Sequence, residues 1–433
     1  MLKNNEGLKR FLAGRKLPTP LNPRDAFFGG RTNATCLYYK PKQGEQILYY
    51  DFTSLYPFVN KNKAYPIGHP EIIYQNFGDI KQYFGFAKVK VYPPRGLYFP
   101  VLPHKSGEKL MFSLCATCTE KQQVTVCHHN DEERALTGTW CTVELSVAVE
   151  KGYRIAEIYE VWHFERKTKS LFSDYINMHL RQKQEASGYP DWCKTEEDKE
   201  RYVRDYKKNE GVQLRREHIE YNPAKRQIAK LFLNSLWGKF GQSTNHLTTT
   251  VVTEPEELFM YLFVPYYEVS SCEFVDEAAV LTFTTAYARL ELYSLLEHLG
   301  DRCLYHDTDS VIFISREGAW SPSLGDYLGQ LTSEIPPNTS ITEFAAAGPK
   351  TYGYALSNGS TVLKVKGITL NSANSVKVNF ESLKDLVNEY CLTGGVEKKE
   401  IKVQQQGIVR IKKRWALETR VLRKTLKVVY NKR

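Results

Sequence analysis

The chain has 433 residues, 42% of them hydrophobic, which allows a sizeable core and more than one ordinary domain and excludes a disordered protein. Its net charge of +10 comes from 59 Lys and Arg against 49 Asp and Glu, and the span from Ile401 to Arg433, with eleven basic residues and the single acid Glu418, accounts for the whole excess. The sequence opens on no secretory signal pattern and contains no run of roughly 18 apolar residues, while its nine cysteines, odd in number and thinly spread, suit reduced thiols rather than a disulfide framework.

Residues 1 to about 25 are polar and Pro-containing and read as a linker. Phe27 to Arg31 reads FFGGR, where Gly29-Gly30 can take positive φ or admit another backbone closely; a plain turn is the reading this stretch alone favours. Ile47 to Phe52 reads as a strand running into a turn stopped by Pro57, with Asp51 at its end. Residues 65 to 165 carry Gly, Pro and four of the cysteines and read as the strands and loops of an insertion. From Glu165 to Trp237 helical patterning dominates, and the charges of TEEDKERYVRDYKKNE predict two long, exposed, antiparallel helices. Short β-rich segments return after Gln242. A helix near Thr285 to Leu299 follows, then a hairpin over Cys303 to Ile314. In the basic tail Ile408, Ile411, Trp415, Leu417, Val421 and Leu422 interleave with the charges, which favours a folded basic surface over a solvated tail.

The hairpin places Asp307 and Asp309 at its tip, on one side, around Thr308. Carboxylates held together repel, and a hard divalent cation relieves the repulsion, although a surface turn explains the DTDS tetrapeptide alone. Asp51, from a different strand, changes the balance, because two metal ions need carboxylates from separate elements and the backbone carbonyl of Phe52 can complete the coordination. In NPAKRQIAKLFLNSLWGKF, Asn222 is an N-cap, Pro223 opens a helix and Gly238 ends it. Ala229, Phe232, Leu233 and Leu236 should face the core, with Arg226, Lys230, Asn234 and Trp237 on an adjacent stripe that offers cations to a triphosphate and a ring to a base or sugar. An ordinary amphipathic helix is the alternative.

Taken together, DFTSLYP, KLFLNSLWG and YHDTDS resemble motifs A, B and C of family B DNA polymerases, in order. FFGGR, TAYAR (Thr285 to Arg289) and GPKTY (Gly348 to Tyr352) are similar to the Gly-Gly, primer-template and Lys-x-Tyr motifs of the protein-primed, organellar and viral, Maverick/Polinton-like branch. The resemblance implies an α+β right-hand polymerase fold with an insertion between motifs A and B. After a linker remnant at 1–25 come palm (26–64), insertion with a zinc knuckle (65–165), fingers (166–243), a short β-rich insertion (244–281), palm (282–375) and a basic thumb (376–433). It implies two Mg²⁺ ions on Asp51, the Phe52 carbonyl and Asp309, with Asp307 the supporting acid. Tyr56 would exclude a 2′-hydroxyl, Arg226 and Lys230 would hold the triphosphate, and Asn234 and Trp237 would line the nucleotide pocket; Trp237 replaces the family's usual Tyr. Gly29, Gly30, Thr285, Arg289, Lys350 and Tyr352 would contact DNA. Primer-template DNA, deoxynucleoside triphosphates and a terminal priming protein are the implied partners of an intracellular monomer, nuclear or mitochondrial, with no membrane association. The family's exonuclease precedes the Gly-Gly motif, where fewer than 30 residues stand here, so proofreading is not expected of this chain, whether it is a fragment or never proofreads.

Cys115, Cys118, Cys127 and His129, with His128 or Cys141 as alternates, have spacing for a tetrahedral structural zinc, against free thiols of a reducing compartment. Two rival functions remain. A reverse transcriptase usually has adjacent hairpin acids, whereas Thr308 separates them here; an inactive transposon-derived nucleic-acid-binding protein need not keep all three acids and Lys230.

Overall fold

The apolar, β-branched and aromatic run Glu45–Phe52 forms the eight-residue strand β3, and its alternation sends Ile47 and Tyr49 into one core and Tyr50 and Phe52 into another. The computed structural model describes residues 20–430 apart from 108, 124, 241–276, 397–398 and 412–415. Residues 1–19 of the expected linker, nearly all of the expected β-rich insertion at 244–281, and Trp415 lie outside the described residues.

Around β3 lies a nine-stranded sheet whose other strands are β1 (Thr32–Ala34), β2 (Tyr38–Tyr39), β12 (Cys303–Asp307), β13 (Ser310–Arg316), β14 (Leu331–Ser333), β15 (Ile341–Gly348), β16 (Thr351–Leu356) and β17 (Thr361–Val365). Its order is β1-β12-β13-β3-β15-β16-β17, with β14 also on β3 and β2 on β15. Strands far apart in sequence thus end side by side, and Asp51 lies between Ser310 of β13 and Thr332 of β14.

Residues 65 to 165 do not form a separate lobe. Strands β5 (Glu71–Ile73), β6 (Gly85–Tyr92), β9 (Leu136–Cys141) and β10 (Arg154–His163) make a four-stranded sheet in the order β5-β10-β6-β9. Val89, Val91 and Trp140 of this sheet share one core with Tyr50, Phe52, Leu55 and the helix Glu277–Leu299. A small hairpin, β7 (Pro103–Ser106) with β8 (Lys109–Phe112), hangs from it, and β4 (Tyr65–Pro66) pairs with β11 (Lys167–Thr168). The expected linker is also partly structured: Pro23–Ala26 is a 3-10 turn, Leu21 and Ala26 are buried, and the Leu21 amide donates to Glu160 Oε2 at 2.7 Å.

Three helices occupy the segment expected to form fingers: Ser173–Glu185, Glu196–Glu210 and Pro223–Phe240. The charged middle helix starts on a reciprocal Thr195/Asp198 capping box and ends on Gly211 at φ 68°. It is the first helix, however, that packs on the third, through a His179–Phe232 ring stack with centroids 4.7 Å apart. Asn222 caps the third helix by accepting from the Lys225 amide at 3.0 Å, as its sequence requires. Gly238 does not end it, because the helix continues to Phe240. Ala229 and Leu233 are buried, but Phe232 remains 45% exposed.

The helix Phe380–Leu392 covers β15 and β16 and meets Val403 and Leu426 at the base of a long hairpin, β18 (Ile401–Ile411) with β19 (Ala416–Leu426). Beyond β19 the chain returns to the large sheet: the Val429 amide donates to Ala347 O at 2.6 Å and Tyr430 Oη to Thr35 O at 3.1 Å. At Gly348 there is no room for a Cβ, which would lie 2.3 Å from Val429 O. No helix among the described residues is long and apolar enough to cross a membrane.

Candidate active site

At the ends of β3, β12 and β13 the fold brings together the three acids singled out in the sequence. They are not equivalent. Asp307 is satisfied: Thr32 Oγ1 donates to its Oδ1 at 2.6 Å, Thr308 Oγ1 at 3.1 Å, and the Lys350 ammonium stands 3.4 Å away. Asp51 and Asp309 carry the strain. Burial, then the charge of Asp309, then that of Glu334 push Asp51 up to about 7; burial and the charge of Asp307 push Asp309 up to about 6. Hard oxygen donors, half-buried and mutually repelling, fit a divalent cation such as Mg²⁺. The Phe52 amide donates to Asp309 O at 2.8 Å, locking the β3 end to the turn.

That turn is itself strained. Thr308, β-branched, sits at φ 57°, a left-handed conformation that costs roughly 1–3 kcal/mol and persists only where neighbours over-determine it. Here its amide donates to Arg31 O at 2.8 Å, and a Cβ on Gly30 would come within 2.6 Å of its side chain. Close approach, the sequence-level reason for a glycine at this position, is thus made to the acidic turn. Gly29 has open space beside it, and its carbonyl accepts from Arg289. A second left-handed residue, Ser54 at φ 53°, lies between Asp51 and Tyr56.

Tyr56 lies in the first turn of the helix Leu55–Asn62 and stacks on Trp237, with centroids 4.6 Å apart and planes 12° from parallel. Burial raises its hydroxyl to about 12, so it stays protonated. Arg226, Lys230 and Asn234 are exposed on the stripe that ends at Trp237; Arg226 Nε donates to Ser187 Oγ at 3.1 Å, and the charge of Lys230 reaches Asp51.

Of the residues expected on DNA, Thr285, Arg289 and Tyr352 are buried at 1%, 3% and 4% exposure and face the interior. Arg289 forms a bidentate pair with the equally buried Glu144, at 2.9 and 2.8 Å, and donates to Phe28 O and Gly29 O at 2.6 and 3.1 Å. It ties the Gly-Gly segment to the helices Glu277–Leu299 and Thr142–Glu150. Thr285 Oγ1 donates to Thr282 O within its own helix, and the Tyr352 hydroxyl lies 2.9 Å from that of Tyr49. Lys350, at φ 59°, keeps its side chain half exposed beside Asp307.

Sequence reasoning missed Glu334, whose amide donates to Tyr49 O and whose charge adds to the repulsion on Asp51. It missed Lys364, which faces Tyr352 across β16–β17, lies 5.7 Å from the Tyr49 and Tyr352 rings and opposes that repulsion. Glu334 stands in an ordinary polar loop with no local signal. Lys364, which alternates along its strand with Leu363 and Val365, had only its period-two position to mark it.

Away from the acids, Cys115, Cys118, Cys127 and His129 converge, with their ligand atoms all within 4.8 Å of one another. The alternates do not join them: His128 is exposed, and Cys141 is buried in a different core beside Phe86.

The chain is 24% identical over 400 residues to a probable DNA polymerase of Neurospora intermedia, which covers 85% of this chain and 34% of the relative, and 23% identical over 358 residues to a DNA polymerase of Kluyveromyces lactis, at 76% and 30%. It therefore spans about a third of the length of these curated relatives. Phi29 DNA polymerase complexed with primer-template DNA and incoming nucleotide substrates superposes with a TM-score of 0.54 at 16% identity, over 98% of this chain and 66% of that one; an orthorhombic crystal form gives 0.57. That similarity establishes the fold, in keeping with the α+β right-hand architecture expected. Since residues 22–195 and 197–306 also match the family model for DNA polymerase type B, organellar and viral, the chain belongs to that family.

Proposed function

We propose that the chain catalyses template-directed DNA synthesis, adding deoxynucleotides to a primer 3′-hydroxyl with release of pyrophosphate. The observation that carries this reading is the meeting of two half-buried, repelling carboxylates, Asp51 and Asp309, at adjoining strand ends in a chain of the type B family. Two Mg²⁺ ions bound there would activate the 3′-hydroxyl and neutralise the triphosphate and the departing pyrophosphate. Asp51 and Asp309 would hold the ions, while Asp307, held by two hydroxyls and Lys350, fixes the turn.

Lys230 and Arg226 bind the triphosphate and Asn234 shapes the pocket. The Tyr56 ring, held flat against Trp237, presents a wall that leaves no space for a 2′-hydroxyl. Lys350 meets the primer strand and the basic hairpin β18–β19 holds the duplex backbone. Phi29 polymerase, described with primer-template DNA and nucleotides, supports these partners. Initiation from a terminal protein, in replication of a mobile element, virus or plasmid, belongs to the same reading. A structural Zn²⁺ at Cys115, Cys118, Cys127 and His129 completes the cofactors.

Primer extension by the purified chain with Mg²⁺ tests this. Wild type should incorporate deoxynucleotides, and Asp51→Asn or Asp309→Asn should lower the rate by about 10³-fold or more, the loss of several kcal/mol of metal-borne stabilisation. No synthesis by wild type, or equal synthesis by the variants, would sink the proposal.

A further inference from the structure

We infer that Zn²⁺ bound by Cys115, Cys118, Cys127 and His129 acts as a brace that fixes Arg31 and, through Arg31, the turn bearing Asp307 and Asp309. The role of that turn in catalysis rests on the polymerase reading; the metal site and the brace do not. The ligand geometry is that of a closed tetrahedral site. His129 Nδ1 lies 3.6, 3.3 and 3.5 Å from the sulfurs of Cys115, Cys118 and Cys127. Zinc bond lengths in a tetrahedron place sulfur and nitrogen ligands about 3.6 Å apart. The Cys118 amide points at Cys115 Sγ, 3.4 Å away, an outer contact that favours thiolate. Three thiols and one imidazole cannot pair off as disulfides. On binding, each thiol gives its proton to solvent as its sulfur ligates the ion, and the neutral imidazole ligates without losing one.

What the ion joins is more informative than the ion. The knuckle has two arms, and both end on Arg31. One arm is β8, whose last residue, Phe112, stands three residues before Cys115 and stacks beneath the Arg31 guanidinium at 4.4 Å. The other is the loop after β6: Arg95 donates to His129 O at 2.6 Å, Arg134 to Pro94 O at 2.9 Å, and Pro100 O accepts from Arg31 at 2.6 Å. Arg31 is buried at 1% exposure, and its carbonyl receives the Thr308 amide at 2.8 Å. The left-handed Thr308 turn is therefore held by a residue whose surroundings are closed by the metal. No residue of the helix Ala116–Glu120 is fully buried, and besides Thr117 Oγ1, which donates to Glu133 O at 2.6 Å, a ligated ion supplies the cross-link that an apolar core does not.

Metal analysis and amide-resolved hydrogen exchange on the full chain test this without reference to catalysis. The expected content is one zinc per chain, lost in Cys118→Ser/Cys127→Ser, and Co²⁺ in its place should give the intense visible bands of a tetrahedral thiolate site. The Thr308 amide should exchange about tenfold faster or more in the zinc-free variant and in Phe112→Leu, which keeps its zinc, while β15 and β16 exchange as in wild type. Wild type without zinc or cobalt bands overturns the site, and unchanged Thr308 exchange in Phe112→Leu overturns the brace. A zinc-bound, braced wild type that makes no DNA overturns the polymerase reading alone.

Discussion

Asp51 and Asp309 hold protons more tightly in the folded chain than an exposed carboxylate does, with values of about 7 and about 6. From about pH 4, where an unfolded Asp titrates, up to these values the native state binds more protons than the unfolded state, so metal-free stability falls as pH rises across that window. On the proposed reading, cations bound there would displace the same protons. The rise in Tm on adding Mg²⁺ should therefore be small near about pH 5.5 and large near about pH 8. Asp51→Asn should stabilise the metal-free protein near about pH 8 by about 1–2 kcal/mol, a figure discounted for partial exposure, and should remove most of the Mg²⁺ response. Thermal melts at the two pH values decide it; an equal Mg²⁺ response at both would contradict the coupling. These acids were legible in the sequence because a strand end and a two-acid hairpin are local patterns. Glu334 was not, because only the pairing of β14 with β3 carries it to Asp51.

Among elements, the Gly-Gly segment is held at two points, by Arg31 on Pro100 O and by Arg289 on Phe28 O and Gly29 O. Breaking the buried Glu144–Arg289 pair by Arg289→Met or Glu144→Gln alone should cost about 3–5 kcal/mol in urea unfolding, since each leaves a buried group without its partner. Replacing both by apolar residues should recover most of that loss. A single substitution costing under about 1 kcal/mol would show that the pair is not what ties these elements. TAYAR was readable as a motif, yet the side on which Arg289 points was not, because its partners lie 145 and 260 residues away. The end of the helix Pro223–Phe240 was misplaced for a related reason: Gly238 permits a stop but does not enforce one.

At the scale of the molecule, five of the basic residues at the end of the sequence, Lys402, Arg410, Arg420, Arg423 and Lys424, lie on the two-stranded arm β18–β19 among the described residues. By register Lys402, Arg410 and Arg423 lie on one face of it, among the exposed Ile408, Leu417 and Val421. Neutralising the three should weaken primer-template binding for every sequence alike and reduce the salt slope of the binding constant by about two to three; titrations at several salt concentrations give the slope, and an unchanged one would place the DNA elsewhere. The tail's charge and its interleaved apolar residues pointed to a folded basic surface, not to a hairpin. Its foot could not be read, because it depends on Val429 returning to Ala347 across the sheet.

That foot makes the arm a lever. Gly348, pressed against Val429 O, is two residues from Lys350, whose ammonium touches Asp307. On the proposed reading, in which this arm holds the duplex, a pull on it would pass through Val429 to the strand end beside Lys350, so grip on the product and alignment of the acids would be mechanically one adjustment.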